Sequence, residues 1–170
     1  MILPRPVRWR RLLRHLGPLA GADPAPLVDP AEPGFDADLA RRLPLTILLA
    51  EDNVINQRVA GKMLERFGYR VRIVGDGRQA VELLGVESFD VVLMDVHMPV
   101  LDGLEATREL RRLGSRAYVV AMTASAFDSD REACLEAGMD DYLSKPLLVP
   151  DLVQTLRRAS AARLRRGDAC

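Results

Sequence analysis

Five polar residues stand where short apolar segments of this sequence end. Glu51 and Asp52 follow the run LTILLA, Asp95 follows VVLM, Thr123 follows AYVVAM, and Lys145 closes DYLSK. Each has an ordinary explanation, because acids start turns and cap helices, threonine favours strands and lysine is usually solvated. Their joint occurrence favours a reactive site that combines carboxylates, a hydroxyl group and an amine.

Lysine is scarce in this chain. Lys62 and Lys145 are the only lysines among 24 basic residues, and the others are arginines. A site that requires a compact ammonium on a flexible stem, instead of a flat guanidinium, selects lysine. Pro146 follows Lys145, constrains the backbone before it and permits a cis peptide bond. We therefore expect Lys145 to have a functional role.

The three acids also predict a metal ion. Clustered carboxylates repel one another and raise one another's pKa unless a cation keeps them ionised. Oxygen ligands with open coordination positions favour Mg²⁺, and no cluster of cysteines or histidines indicates zinc. His97 is a lone imidazole two residues after Asp95, and we expect its carbonyl, not its ring, to contribute.

Alternating strands and helices are predicted to position these residues. Ile55, Val59 and Met63 recur at helical spacing after the first apolar run. Five short apolar runs predict strands, namely 45–50, 70–74, 90–94, 117–122 and 141–145.

Residue types at the helix ends support the same division. Capping boxes are predicted at Asp76 with Gln79, Asp102 with Glu105, and Ser129 with Glu132, while Gly68, Gly114 and Gly138 stand where helices would close. Such an order predicts an α/β fold, a parallel sheet with helices on both faces. Ligands of these sheets collect beyond the carboxyl ends of the strands, where the five polar residues are expected.

Composition predicts one domain without a strong electrostatic preference. The 170 residues are 48% hydrophobic and 28% charged, and 24 basic residues balance 24 acidic ones. No uncharged apolar stretch is long enough to span a membrane, and Cys134 and Cys170 do not form a metal or redox motif. We expect a cytoplasmic protein that does not bind nucleic acid.

The ends of the chain are predicted to lie outside the domain. Eight of the 11 prolines fall within residues 1–44, which indicates a linker or disordered arm. Within it, residues 8–16 (RWRRLLRHL) could form a basic amphipathic helix that binds a membrane or a partner, although a solvated tail is the simpler interpretation. We assign the domain to residues 45–158 and a short basic tail to residues 159–170, into which the last helix could continue.

Four segments together resemble the receiver domain of two-component response regulators. They are ILLAEDNVINQ, VVLMDVHMPVLDG, AMTAS and DDYLSKPL, and the resemblance covers the predicted domain. It implies a flavodoxin-like fold with five parallel strands in the order 2-1-3-4-5. The residues FDADLARRLPLTILLAEDN are most similar to receivers attached to hybrid sensor histidine kinases.

The resemblance assigns a role to each acid. It implies that Asp95 is the phosphoacceptor, which attacks a phosphohistidine and becomes an aspartyl phosphate. Asp52, Asp95 and the carbonyl of His97 would bind Mg²⁺ directly, while Glu51 would act through water. The metal and Lys145 would neutralise the charge of the phosphoryl group.

A switch is implied by the same resemblance. Thr123 would donate its hydroxyl to the phosphoryl group, and Ala124 leaves room for this approach. Tyr142 matches a switch residue that turns inward and reshapes the surface around the fourth and fifth strands. A half-buried strand aromatic is the alternative interpretation of Tyr142.

The implied partner is a histidine kinase or histidine phosphotransfer protein. The chain contains no glycine boxes of a kinase, and we expect no DNA-binding output domain after Arg158. We predict a signalling switch and not a turnover enzyme. Two alternatives remain at this point: a Mg²⁺-dependent phosphohydrolase with His97 as general acid, and a binding module that never carries phosphate.

Overall fold

The computed structural model describes residues 35–124, 128–165 and 167, and the side chains of residues 128–130 are not part of this description. The predicted basic helix at residues 8–16 and Cys170 therefore lie outside the described residues. The predicted helix start at Ser129 is wrong, because the helix there already includes Asp128. Six helices and five strands alternate along the described chain: α1 Leu39–Arg42, β1 Ile47–Ala50, α2 Val54–Arg66, β2 Val71–Val74, α3 Gly77–Leu84, β3 Val91–Asp95, α4 Gly103–Arg112, β4 Tyr118–Thr123, α5 Asp128–Glu136, β5 Asp141–Ser144 and α6 Val149–Arg165.

All five strands pair in parallel, in the order β2-β1-β3-β4-β5. The predicted fold class and strand order are confirmed. Strands β1 and β3 are buried along their whole length, as expected of apolar runs covered on both faces, whereas β2 at the sheet edge is only partly buried. The strands that carry the acids therefore lie in the middle of the sheet.

Each face of the sheet packs against its own set of helices. Ile47 and Leu49 of β1 contact the cluster that includes α2 and α6, and Leu48 contacts the cluster that includes α3 and α4. This alternation follows from the two-residue period of a strand. The resulting two-sided core leaves the strand ends as the places where polar groups can meet.

Local sequence signals define most helix ends. Asp76 accepts a hydrogen bond from the backbone N–H of Gln79, and Asp102 accepts one from Glu105, so both predicted N-caps are confirmed. The three predicted closing glycines have φ angles of 89°, 79° and 95°. Glycine adopts these left-handed conformations without the steric penalty of a Cβ atom.

The ordered structure begins before the predicted domain boundary at residue 45. Leu39 of α1 is buried, Phe35 stacks on Phe67 with ring centroids 4.9 Å apart, and Tyr69 donates a hydrogen bond to the carbonyl of Leu43. Residues 35–44 therefore pack on the domain, although their proline-rich context placed them in the arm. The last helix likewise continues through Arg165, into the segment that was predicted to be a tail.

The search for membrane-spanning segments gives a negative result for the described ranges. Within residues 35–124 and 128–165, no helix combines the length and the apolar character needed to cross a bilayer.

Candidate functional site

Four strands end at the same side of the sheet and bring the predicted polar residues together. Glu51 directly follows β1, Asp95 and Thr123 are the last residues of β3 and β4, and Lys145 directly follows β5. Because parallel strands all end on one side, these residues form what we call the carboxyl edge. Carboxylate oxygens of Glu51, Asp52 and Asp95 all lie within 4.8 Å of one another.

Lys145 connects two of these acids. Its Nζ atom donates hydrogen bonds to Oδ2 of Asp95 and Oε2 of Glu51, each at 2.6 Å. The exposed fractions of the side chains are 20% for Lys145, 8% for Asp95 and 2% for Glu51. The ammonium group is thus the charged partner of two nearly buried carboxylates. The Lys145–Pro146 peptide bond is cis.

The backbone around Asp95 fixes the position of its carboxylate. Oδ1 of Asp95 accepts a hydrogen bond from the backbone N–H of His97 at 3.2 Å. The loop then returns, and the N–H of Gly103 donates to the carbonyl of Val96. A Cβ atom on Gly103 would lie 2.2 Å from the carbonyl oxygen of Asp95, so only glycine permits this close approach. The loop between β3 and α4 therefore packs closely against the backbone of Asp95.

Two residues that the sequence analysis did not single out hold Glu51. Nδ2 of Asn56 donates to Oε1 of Glu51 at 2.8 Å, and Nε2 of Gln57 donates to the backbone carbonyl of Glu51 at 2.7 Å. Both residues lie in the first turns of α2, directly after the acid pair. Polar side chains at the start of a helix that follows an acid pair were the signal that could have identified them.

The charges at this edge are not balanced. Burial raises the pKa of Asp95, Glu51 raises it further, and Lys145 and the His97 N–H act in the opposite direction. Burial also works against a charged Lys145, but hydrogen bonds and attraction from Asp95 and Glu51 outweigh it, so its pKa is raised. Lys145 therefore stays protonated, while the ionised form of Asp95 is disfavoured until another cation arrives.

The donor set fits a hard divalent cation. Asp52 is exposed and makes no hydrogen bond or ion pair with any residue that the structure describes. It is therefore available as a ligand beside the buried acids. Carboxylate and carbonyl oxygens are the ligands that Mg²⁺ and Ca²⁺ take in proteins.

The remaining predicted residues lie at or near this edge. Thr123 is buried, and its carbonyl accepts a hydrogen bond from the backbone N–H of Lys145 at 2.8 Å, which ties the ends of β4 and β5 together. Tyr142 on β5 is 40% exposed, and the guanidinium carbon of Arg131 lies 4.9 Å from the centre of its ring. His97 is exposed, and its contact with the acids is through the backbone.

Comparison with protein families identifies one match. The model of the response regulator receiver domain matches residues 47–157. Among curated proteins, hybrid signal transduction histidine kinase H of Dictyostelium discoideum is 40% identical over an alignment 124 residues long, and the match covers 69% of this chain and 9% of that protein. Sensor histidine kinase RcsC of Escherichia coli K12 is 37% identical over an alignment 130 residues long, and that match covers 75% of this chain and 14% of that protein. The chain thus spans a small part of the length of these relatives.

Solved structures give the same result. The receiver domain of sensor histidine kinase PA1611 from Pseudomonas aeruginosa, with a magnesium ion in its active-site cleft, is 48% identical with a TM-score of 0.64; the match covers 69% of this chain and 98% of that one. A second match is the co-crystal structure of the histidine phosphotransfer protein Ypd1 and the receiver domain of Ssk1 from Saccharomyces cerevisiae. It has 27% sequence identity to this chain and a TM-score of 0.67. That match covers 70% of this chain and 90% of the other.

Proposed function

The chain belongs to the response regulator receiver domain family, and on that premise we propose that it accepts a phosphoryl group from a phosphohistidine onto Asp95. One observation carries the proposal: Asp95 ends a central strand, 2.6 Å from a protonated lysine and within a cluster of three carboxylates. A carboxylate that only capped a turn would not require this arrangement.

The geometry supports nucleophilic attack by Asp95. An oxygen of its carboxylate forms the new bond to phosphorus, the bond from phosphorus to the donor imidazole breaks, and the electron pair returns to the imidazole nitrogen, which takes a proton from water. The product is an acyl phosphate on Asp95 and a free histidine on the donor. Because the strand end, the His97 N–H and the Gly103 contact fix Asp95, positioning supplies much of the rate enhancement.

Magnesium belongs to the proposal because the donor set fits it. Asp52, Asp95 and the carbonyl of His97 would hold the ion directly, and Glu51 would act through water. When bound, Mg²⁺ neutralises charge on the phosphoryl oxygens. The 48% identical receiver with magnesium in its cleft supports this assignment. Lys145, already at Asp95, would supply the second positive charge.

We assign the response of the protein to the ends of β4 and β5. Thr123 would donate its hydroxyl to the phosphoryl group, and this movement would be passed to β5 through the hydrogen bond between Lys145 and Thr123. Tyr142, now exposed beside Arg131, would turn inward as Thr123 moves. The surface around both strands would then differ between the two states.

The partner in this proposal is a histidine kinase or a histidine phosphotransfer protein. The relatives that carry similar domains are histidine kinases, one of them a hybrid kinase, and a related receiver was crystallised with a phosphotransfer protein. The domain would act in the cytoplasm as a signalling switch, with only slow loss of its own phosphate. The phosphohydrolase alternative requires the ring of His97 as general acid, and no contact among the described residues favours it.

Phosphorylation of the purified chain tests the proposal. Incubation with Mg²⁺ and phosphorylated candidate histidine proteins should add one phosphoryl group, measured by intact-protein mass spectrometry. Asp95→Asn should abolish labelling. Asp76→Asn, which changes an acid that caps a helix and lies outside the cluster, should leave labelling unchanged because asparagine caps equally well. Full labelling of the Asp95→Asn protein would overturn the assignment.

A further inference from the structure

We infer that Asn56 is a positioning residue that orients Glu51, and thereby sets the affinity and selectivity of the acid cluster for Mg²⁺. This inference rests on the proposed function of the same site. Among the hydrogen bonds of the described residues, Glu51 is the only acid that Asn56 contacts.

The start of α2 places Asn56 against the site. The side chain of Asn53 caps the helix by accepting hydrogen bonds from the N–H groups of Ile55 and Asn56, at 2.9 Å and 3.3 Å. This cap fixes the first turn, so that the amide of Asn56 points back towards Glu51, which directly follows β1. Gln57 secures the same turn by donating to the backbone carbonyl of Glu51.

Asn56 and Lys145 divide the two oxygens of Glu51 between them. Oε1 accepts from Nδ2 of Asn56 at 2.8 Å and, weakly, from the backbone N–H of Asn53 at 3.4 Å, while Oε2 accepts from Lys145 at 2.6 Å. Glu51 is 1% exposed, so few other donors can replace these. A neutral amide stabilises the buried carboxylate without adding a charge that would compete with a metal ion.

This division determines how Glu51 can serve an ion. Because Asn56 and Lys145 each bind one of its oxygens, the side chain of Glu51 is fixed in one orientation, in which we infer that it accepts hydrogen bonds from water on the ion. Mg²⁺ favours such an arrangement because it keeps several of its waters, whereas Ca²⁺ takes six to eight oxygen ligands in flexible geometry. Without Asn56, the long side chain of Glu51 would be free to turn towards the ion and would serve Ca²⁺ better than Mg²⁺.

Substitution of Asn56 tests the inference on the full chain. Asn56→Leu removes the amide donor at similar size, and we expect it to weaken Mg²⁺ binding about tenfold, as loss of a group that orients a metal ligand commonly does. The affinity for Ca²⁺ should fall less, so the preference for Mg²⁺ over Ca²⁺ should narrow. Isothermal titration calorimetry with each ion measures both quantities without relying on phosphorylation.

Gln79 offers a matched control. Its amide also donates to a carboxylate, that of Asp76, in the first turn of another helix outside the acid cluster. Gln79→Leu should leave both ion affinities unchanged. Asn56→Ala is a second variant, expected to behave as Asn56→Leu does, and circular dichroism verifies that each variant is folded.

The outcomes separate this inference from the proposed function. If the unmodified chain neither binds Mg²⁺ nor takes up label, the proposed function fails. If it does both, but folded Asn56→Leu and Asn56→Ala retain its Mg²⁺ affinity and its preference over Ca²⁺, only the role of Asn56 is overturned. An equal loss in Gln79→Leu would also overturn it, because the effect would then not depend on Glu51.

Discussion

The two ends of the sheet use similar residues in opposite ways. At the carboxyl edge, three acids lie together and one lysine forms ion pairs with two of them. At the opposite end, which we call the amino edge, Asp90 and Asp140 each have their own cation and neutral donors. Asp90 accepts hydrogen bonds from the backbone N–H and the hydroxyl of Thr46, at 2.7 Å and 2.8 Å, and forms an ion pair with Arg163 at 3.2 Å.

A second ion pair at the amino edge follows the same pattern. Arg111 donates to Asp140 and to the carbonyls of Gly138, Ser115 and Ala117, all at 2.7–2.9 Å. Asp140 in turn accepts a hydrogen bond from the backbone N–H of Val119 in β4. Charges with one opposite partner and complete hydrogen bonding stabilise a fold, while unbalanced charges do not. The difference indicates that the amino edge maintains the structure and the carboxyl edge retains unbalanced charge for chemistry.

Removal of Asp90 should give the largest loss of stability. Asp90→Ala deletes the bonds to Thr46 and leaves Arg163 without its acid, so we expect the free energy of unfolding to fall by about 3 kcal/mol. Urea denaturation measures this loss. The labelling rate per folded molecule should not change; if it does, the two edges are not independent.

Magnesium should stabilise the carboxyl edge. An ion that binds only the folded state adds about 2.7 kcal/mol at a concentration 100 times its dissociation constant. The melting temperature should therefore rise with added Mg²⁺. Asp52→Asn removes the exposed ligand and should abolish most of this increase, while Asp102→Asn, at a helix cap, should retain it. If Mg²⁺ raises the melting temperature of Asp52→Asn as much as that of the unmodified chain, Asp52 is not a ligand of the ion.

Asp95→Asn should leave stability unchanged or raise it by up to about 1 kcal/mol at pH 7. The pKa of Asp95 is raised in the folded state, mainly by burial, so its ionised form costs stability as the pH rises through that pKa. Lys145 keeps Glu51 as a partner in the variant. The gain should disappear below the ordinary aspartate pKa of 3.8, which denaturation curves at several pH values can measure. A loss at pH 7 would contradict this account.

An effect of similar size but opposite sign is expected at Tyr69, at the amino edge. Burial raises its pKa to about 12, so its contribution to stability is complete below pH 10 and is lost as the pH rises towards 12. Tyr69→Phe deletes the hydrogen bond to Leu43 and should cost about 1 kcal/mol. It should also reduce the loss of stability between pH 10 and pH 12. If Tyr69→Phe loses as much stability between pH 10 and pH 12 as the unmodified chain does, this assignment is contradicted.

The fold and the main site residues were predictable because their signals are local. Continuous apolar runs predicted strands such as β3, and a parallel sheet brings strand ends together whatever their distance in sequence. Asp52, Asp95 and Lys145 could therefore be grouped before their distances were known.

Other features depend on contacts that no local pattern contains. Residues 35–44 were placed in the arm because residues 1–44 contain eight prolines, and this density outweighed a few apolar side chains, such as Leu39, that pack on the core. The hydrogen bonds that join Asp90 to Thr46 and to Arg163 connect residues that are 44 and 73 positions apart in the sequence. Asn56 is different, because it lies five residues after Glu51 and its position at the start of α2 was a local signal; what the sequence does not give is the direction of its hydrogen bond.

Arg163 of α6 also donates a hydrogen bond to the carbonyl of Pro44, just before β1. The route into the first strand and the final helix are therefore joined on the side away from Asp95. The start of β1 and the end of α6 are thus anchored to each other at the amino edge, and the carboxyl edge, where we propose phosphoryl transfer, lies at the other end of the sheet.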